Sequence, residues 1–323
     1  MLVKVLSALN ERQGGVNTYV SALTKRLPRE GIEIVNADGD YDVLLHVGPH
    51  VYDGLPPKDG RRSVMVVHDL IPEVLWKDAH IREERKRALA AVDEVIAVSG
   101  WTKADLLREY GVDSKKVHVI YHGVSEIQGV VEANDVACPY NSGSYLLYVG
   151  KRNEYKRFRW FLRAVAPLMW LHPGLRVLCT GEPFCRREWA WIVALGLLGR
   201  VKSRLFAADE MHSVYANAAA LVYPSVYEGF GLPVLEAMSA GCPVVCSRST
   251  CLPEVAGDAA VYFETDNAGD LRRVVRGLIF QNEECERMRA ELVRKGVERA
   301  KLFFWEKCAH ETAMVLAKVK GKR

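Results

Sequence analysis

The stretch Ser225-Val-Tyr-Glu228-Gly229-Phe230-Gly231-Leu232-Pro233-Val-Leu-Glu236-Ala-Met-Ser-Ala-Gly241 follows an apolar run ending in Tyr223-Pro224 and leads into a helical pattern. Its parts have separate physical reasons. Gly229 and Gly231 let a backbone approach a ligand closely. Pro233 suits the first turn of a helix, where its missing N–H leaves no bond unmade. The free N–H groups of that turn form an anion site suited to a diphosphate. Glu228 lies before the helix and Glu236 inside it, so the two carboxylates reach different parts of one ligand rather than share a proton. A bare E-x7-E spacing is usually a loop glutamate and a helix glutamate with no joint purpose. Here the glycines, the strand-to-helix context and the Gly241-Cys-Pro-Val-Val strand start that follows argue against that.

Outward from this motif, short apolar runs alternate with amphipathic segments, the pattern of parallel sheets covered by helices. Before it the spacing predicts strands at Tyr145 to Val149, Leu175 to Thr180, Ser203 to Phe206 and Ala220 to Tyr223. After it come strands at Pro243 to Ser247 and Ala260 to Phe263, and from Asn267 the chain reads as wholly helical, ending in Trp305 to Val319 and a basic tail. An earlier cycle of the same kind has strands at Leu2 to Leu9, Ile32 to Asn36, Val43 to Val47, Val64 to Val67, Glu94 to Val98 and Val117 to Tyr121. Its helices are at Val16 to Leu27, Arg82 to Ala91 and Thr102 to Glu109. Between the cycles, Ser125 to Ser144 fades into Gly, Asn, Asp, Pro and Ser, a linker composition. The expected organisation is a Rossmann-like domain over 1–124 on the acceptor side, a linker over 125–143 and a nucleotide-binding domain over 144–300. The helix and tail over 301–323 would be free to pack back on the first domain. Two such domains place a cleft between the carboxyl ends of their sheets, and such clefts bind nucleotides.

Directly after the first strand of the second domain stands Tyr148-Val-Gly150-Lys151-Arg152-Asn-Glu-Tyr-Lys156-Arg-Phe158. A tight glycine turn with cations beyond it is how an α/β fold meets a phosphate. In the first domain, Val64-Met-Val-Val-His68-Asp69-Leu-Ile-Pro72-Glu73 puts a histidine just past a strand, where an imidazole can donate to a sugar hydroxyl. Arg12-Gln-Gly14-Gly15-Val-Asn17-Thr-Tyr19 is a glycine loop short of a full GxGxxG. Ser99, in Val98-Ser99-Gly-Trp101-Thr-Lys, is placed to cap the helix after it, and His122-Gly123 to shape the start of the linker.

The residues from Tyr223 to Gly241 resemble the family 4 retaining glycosyltransferases, whose E-x7-E motif opens Glu-Gly-Phe-Gly-Leu-Pro and closes Glu-Ala. The match continues loosely through Leu252-Pro-Glu254-Val-Ala-Gly-Asp-Ala-Ala260. The resemblance implies an α/β protein of GT-B fold, two Rossmann-like doubly wound domains facing a cleft, with C-terminal helices. It implies that Glu228 holds donor-sugar hydroxyls, that Glu236 holds the ribose, and that the backbone from Gly229 and Phe230 to Leu232 meets sugar and diphosphate. Lys156 and one further cation, Lys151 or Arg152 with Arg152 preferred, would neutralise the departing nucleoside diphosphate. His68 would touch the transferred sugar, and Gly14 and Gly15 would face the donor phosphates or the acceptor.

The implied activity is retaining, metal-independent hexosyl transfer from a nucleotide-sugar donor to a glycan, lipid-linked or small-molecule acceptor. The pattern around Arg152, Lys156 and His68 looks most like mannosyltransferase-type members, which puts GDP-mannose first and UDP-glucose second. A sugar-nucleotide 2-epimerase and a catalytically silent sugar-nucleotide-binding subunit are the rival readings. Stabilisation of the leaving group is electrostatic, and with no carboxylate pair of the glycosidase kind a same-face reaction is favoured, in which the leaving phosphate deprotonates the acceptor.

Composition excludes other classes. A formal net charge of +4 over 323 residues is too mild for nucleic acid. Acidic and basic residues balance over Met1 to Gly123, so that part gives membrane attachment no support. The opening Met-Leu-Val-Lys-Val-Leu lacks signal-peptide features, and the chain reads as cytoplasmic. The 8 cysteines read as reduced, mostly buried thiols. Cys242, Cys246 and Cys251 lack the CxxC spacing of a zinc site. Asp38-Gly39-Asp40 has the form of the metal-binding DxD motif, but Asp and Gly are favoured turn formers between strands, so no metal and no cofactor are expected.

Overall fold

A computed structural model describes residues 1–6, 14–35, 40–48, 60–124, 138–279 and 282–321. The chain forms two compact units, Met1–Gly123 with Phe303–Arg323, and Val124–Leu302.

The first unit contains β1 (Leu2–Leu6), α1 (Gly14–Arg26), β2 (Glu33–Val35), β3 (Val43–His46), β4 (Arg62–Val67), α2 (Ile71–Val74), α3 (Ala79–Ala91), β5 (Glu94–Ala97), α4 (Gly100–Tyr110) and β6 (Val117–Val119). The strands pair in the order β2-β1-β3-β4-β5-β6, all parallel. β3 and β5 are buried along their whole length, as strands covered on both faces must be. Each buried Val or Leu contributes about 1.5–3 kcal/mol. Helix starts follow local chemistry. Asp78 Oδ1 accepts from the amides of His80 at 3.0 Å and Ile81 at 3.1 Å, so α3 begins three residues before the apolar pattern suggests. Ser99 Oγ accepts from Thr102 N at 3.0 Å, the expected cap of α4, whose start moves to Gly100.

The second unit contains β7 (Tyr145–Tyr148), α5 (Phe158–Leu171), β8 (Arg176–Thr180), α6 (Arg186–Ala194), β9 (Val201–Arg204), α7 (Met211–Ala216), β10 (Ala220–Tyr223), α8 (Leu232–Ser239), β11 (Val244–Ser247), α9 (Leu252–Ala256), β12 (Val261–Phe263), α10 (Ala268–Ile279) and α11 (Glu283–Ala300). The sheet order is β12-β11-β10-β7-β8-β9, again all parallel. β9 starts two residues earlier than expected and ends at Arg204, whose guanidinium bonds Glu210 at 3.0 Å. From β7 the chain builds outward to β9, then returns to lay β10 on the other side of β7. The carboxyl ends of β7 and β10 are therefore neighbours at a topological switch point, where open α/β sheets bind ligands.

The last helix, α12 (Trp305–Lys320), belongs to the first unit. Lys318 Nζ reaches Glu94 Oε1 at 3.0 Å, and His118 Nε2 holds the other oxygen of that buried strand carboxylate at 2.7 Å. Arg26 pairs with Glu306 at 2.7 Å. Among the described residues no helix is long and apolar enough to cross a membrane.

Candidate functional site

Two loops leave the switch point of the second unit. One follows β7, turning at Gly150 and running to Lys156 before α5. The other follows β10 and runs from Pro224 to Gly231 before α8. A backbone bond from Val226 N to Tyr155 O at 2.9 Å joins them. The hydroxyl of Tyr148 donates toward the carbonyls of Lys151 at 3.2 Å and Lys156 at 3.1 Å, holding both ends of the first loop. Lys156 Nζ then donates to Glu228 Oε1 at 2.5 Å and to the Tyr223 hydroxyl at 2.8 Å. Burial, with Glu228 alongside, pushes the Tyr223 phenol well above its ordinary range, so it stays a neutral partner.

The second loop is also held from the segment after β11. Ser249 Oγ donates to Ser225 O at 2.7 Å and Ser247 Oγ donates to the same carbonyl. Thr250 Oγ1 accepts from Glu228 N at 3.1 Å, and Cys251 Sγ donates to Glu228 O at 3.2 Å. Thr250 has φ 46°, a left-handed conformation uncommon for a residue with a side chain and often found at functional sites. Gly231 caps α8 with φ 88°, and a Cβ there would come within 2.8 Å of Leu252 Cδ2. Leu232 starts α8, Pro233 lies in its first turn, and Gly229 and Phe230 are buried. Glu236, one turn into α8, accepts from the Tyr215 hydroxyl of α7 at 2.7 Å. Burial raises the Glu236 carboxyl above its ordinary range, with the Tyr215 bond opposing the rise.

Arg152, the preferred first cation, is held elsewhere. Its Nε donates to Glu188 Oε1 at 2.7 Å, Nη1 to Ser203 Oγ at 3.1 Å, and Nη2 to the carbonyls of Glu182 at 2.7 Å and Pro183 at 3.1 Å. Its guanidinium also lies 4.9 Å from the Phe184 ring centre. Lys151 beside it is solvent-exposed. Tyr215, Tyr223 and Thr250 were not legible as site residues. Tyr215 and Thr250 act on groups 21 and 22 residues away, and Tyr223 on Lys156 67 residues away across the sheet.

His68, Gly14 and Gly15 belong to the first unit. Gly14 and Gly15 are the first two residues of α1. Arg12 and Gln13 before them lie outside the described residues, as do Asp38 and Gly39, while Asp40 pairs with Arg61 at 2.6 Å. His68 follows β4 and is buried, with its ring 5.1 Å from Tyr19 and 5.4 Å from His122. The loop that carries it is clamped from beneath. Arg85 Nη1 donates to Asp69 O at 2.8 Å, Arg85 Nε meets Glu73 Oε1 at 3.0 Å, and the Tyr110 hydroxyl donates to the same oxygen at 2.7 Å. Asp69 Oδ1 accepts from Ile71 N at 3.0 Å, closing the turn. His122 stacks on Trp305 of α12 with ring centres 5.8 Å apart. Burial, then the neighbouring His68, hold its imidazole well below the ordinary pKa and so neutral. A Cβ on Gly123 would fall 2.2 Å from Trp305 N, so only glycine lets α12 start against this strand end.

Residues 143–280, which hold both loops, match the family described as Glycosyl transferases group 1, and residues 35–126 match Glycosyltransferase Family 4. The chain belongs to the family 4 glycosyltransferases. As such it is a glycosyltransferase enzyme with the two Rossmann-like domains of the GT-B fold. It is 28% identical over 293 residues to O-antigen chain mannosyltransferase B of Escherichia coli, covering 84% of this chain and 74% of that one. It is 26% identical over 224 residues to the O-antigen chain mannosyltransferase RfbU of Salmonella typhimurium, covering 68% and 61%. The chain thus spans less than two thirds of the second relative. The crystal structure of Anabaena HepE in complex with UDP-glucose superposes with a TM-score of 0.78 at 16% identity, covering 98% of this family 4 chain and 100% of the other.

Proposed function

We propose that this glycosyltransferase moves a hexosyl unit, mannose from GDP-mannose first and glucose from UDP-glucose second, to an acceptor hydroxyl of a glycan, lipid or small molecule with retention of configuration. The observation that carries the reading is the Lys156–Glu228 pair at the switch point, beside the start of α8. It is the arrangement a diphosphate sugar needs, with a cation and helix N–H groups for the phosphates and a carboxylate for the sugar. The mannosyltransferase relatives support mannose, and the UDP-glucose held by HepE supports a nucleotide sugar.

In this reading the departing diphosphate displaces Glu228 from Lys156, and Glu228 turns to the sugar hydroxyls. Glu236 takes the ribose, and the backbone over Gly229 to Leu232 lines the diphosphate. Lys151, being exposed, is the second phosphate cation, and Arg152 keeps the loop after β7 in shape. Gly150 gives the turn, and His68 and the glycines Gly14 and Gly15 serve the sugar and the acceptor side. The leaving phosphate takes the acceptor proton on the face from which it departs, and no metal is required.

Thermal-shift titration with GDP- and UDP-sugars tests the donor, because a ligand at about 100 times its Kd stabilises by about 2.7 kcal/mol. A shift with GDP-mannose larger than with UDP-glucose is expected. No shift with any nucleoside diphosphate overturns the reading. An isomerised nucleotide sugar formed without acceptor assigns a 2-epimerase instead.

A further inference from the structure

Among the large apolar side chains of the second unit that stand in solvent are Trp170 at 56% exposure, Leu171 at 75%, Val193 at 56% and Leu198 at 64%. Trp170 and Leu171 end α5, Val193 lies in the last turn of α6, and Leu198 sits in the turn before β9. They share one neighbourhood. The Trp170 indole donates to Leu195 O at 3.0 Å, which fixes the end of α5 against the end of α6, and Leu198 follows three residues later.

The other end of the same face is basic. α5 and α6 follow the adjacent parallel strands β7 and β8 and run the same way. Arg159 and Arg163 on α5 are exposed, and their spacing to Trp170 places all three on one side of the helix. Arg186 and Arg187 open α6, also exposed. Arg159 and Arg187 lie 5.0 and 5.4 Å from the Trp191 ring centre, which joins the basic ends of the two helices. Over Arg157 to Leu205 nine Lys and Arg stand against two acids, Glu182 and Glu188; Arg157 and Arg204 pair with Asp266 and Glu210 outside that span, while Arg159, Arg163, Arg186 and Arg187 stay exposed on the helices. Glu188 is buried against Arg152.

The fold of the unit leaves most of this apolar and basic surface in solvent. Arginines in the first turn of a helix face the positive end of its own dipole, and Trp170 and Leu171 keep 56% and 75% of their surface in solvent although the indole N–H bonds Leu195 O. Both become favourable against a lipid surface, where Trp sits at headgroup level, apolar side chains enter the acyl boundary and guanidinium groups meet lipid phosphates. We propose that the solvent face of α5 and α6 docks this enzyme on an anionic lipid bilayer. Charge complementarity selects that occupant.

The test is flotation of the full chain with phosphatidylcholine vesicles and with phosphatidylcholine–phosphatidylglycerol vesicles. Binding is expected to the second only and to weaken in high salt, as charge attraction does. Arg186→Ser with Arg187→Ser should lower partitioning by about fivefold per arginine, and Trp170→Ser with Leu171→Ser by about tenfold or more. Circular dichroism melting of both surface variants checks that the fold is intact. Absence of binding to anionic vesicles overturns the proposal, as does binding that both double variants retain. A dimer in sedimentation without lipid that Trp170→Ser with Leu171→Ser abolishes assigns the face to a second copy and also overturns it.

Discussion

Lys156 Nζ stands 2.5 Å from Glu228 Oε1, joining two loops 72 residues apart, and both side chains are about nine-tenths buried. The pair is a preorganised charge arrangement whose two halves belong, in the proposed reaction, to different parts of one donor.

Removing one half should be felt in both stability and turnover. Lys156→Ala leaves Glu228 charged and short of a partner, and should lower unfolding free energy by about 2–3 kcal/mol, somewhat less than for a fully buried pair. Urea denaturation measures this. Turnover should fall about 10²–10³-fold as the electrostatic contribution to leaving-group departure is lost. Glu228→Gln leaves the Lys156 ammonium without its counter-charge, so it should also melt below the parent and lose turnover similarly. A Lys156→Ala enzyme with parent turnover would remove the lysine from the mechanism.

Glu236 predicts a pH signature. Burial raises its carboxyl above the ordinary value despite the Tyr215 bond, so the folded state binds that proton more tightly than the unfolded chain does. Stability from this group is then lost as pH rises from the ordinary carboxylate pKa through the raised one. Glu236→Gln should therefore melt higher than the parent at neutral pH and equally below about pH 4, while weakening nucleotide binding. Melting curves across pH with and without nucleoside diphosphate read both effects, and a variant less stable at neutral pH contradicts the assignment.

The Arg85–Glu73 pair is almost wholly buried, at 1% and 0% side-chain exposure. Arg85→Met leaves a buried carboxylate with only the Tyr110 hydroxyl, and should cost about 3–5 kcal/mol. Adding Glu73→Leu should recover most of that, because an apolar pair of similar volume needs no desolvation. The recovered double variant still lacks the bond from Arg85 to Asp69 O, so turnover should remain low if His68 must be held in place. Recovery of turnover along with stability would mean that the clamp serves the fold alone.

His122 and Gly123 govern the seating of α12. Because burial depresses the His122 pKa, the folded state resists protonation. The stability this contributes is full above the unfolded value near 6.5 and is lost as pH falls below it. The melting temperature should drop from pH 7.5 toward pH 5, and His122→Phe should flatten that slope. Gly123→Ala, whose Cβ would meet Trp305 N at 2.2 Å, should cost about 3 kcal/mol at any pH. A pH profile unchanged in His122→Phe would place the acid-sensitive group elsewhere.

Local chemistry was readable from the chain. The glycines before α8, Pro233 in its first turn, Ser99 as a cap and the apolar strands all depend on neighbours within a few residues, and the parallel α/β class and the family followed from them. Long-range pairing was not readable. Glu188 is 36 residues from the Arg152 guanidinium it binds, and only the β7-β8-β9 order brings them together. Tyr215 reaches Glu236 because α7 and α8 flank β10, and nothing in the sequence around Tyr215 signals that. The placement of α12 with the first unit rests on Lys318, Glu306 and Trp305 meeting groups about 180 to 280 residues earlier. The sequence by itself determined which segments become strands and helices and which loop carries the E-x7-E carboxylates, because those choices are made by backbone conformation and local burial period. The tertiary structure alone decided which cation meets which carboxylate, because that depends on strand order and on which partner offers the better desolvated pair.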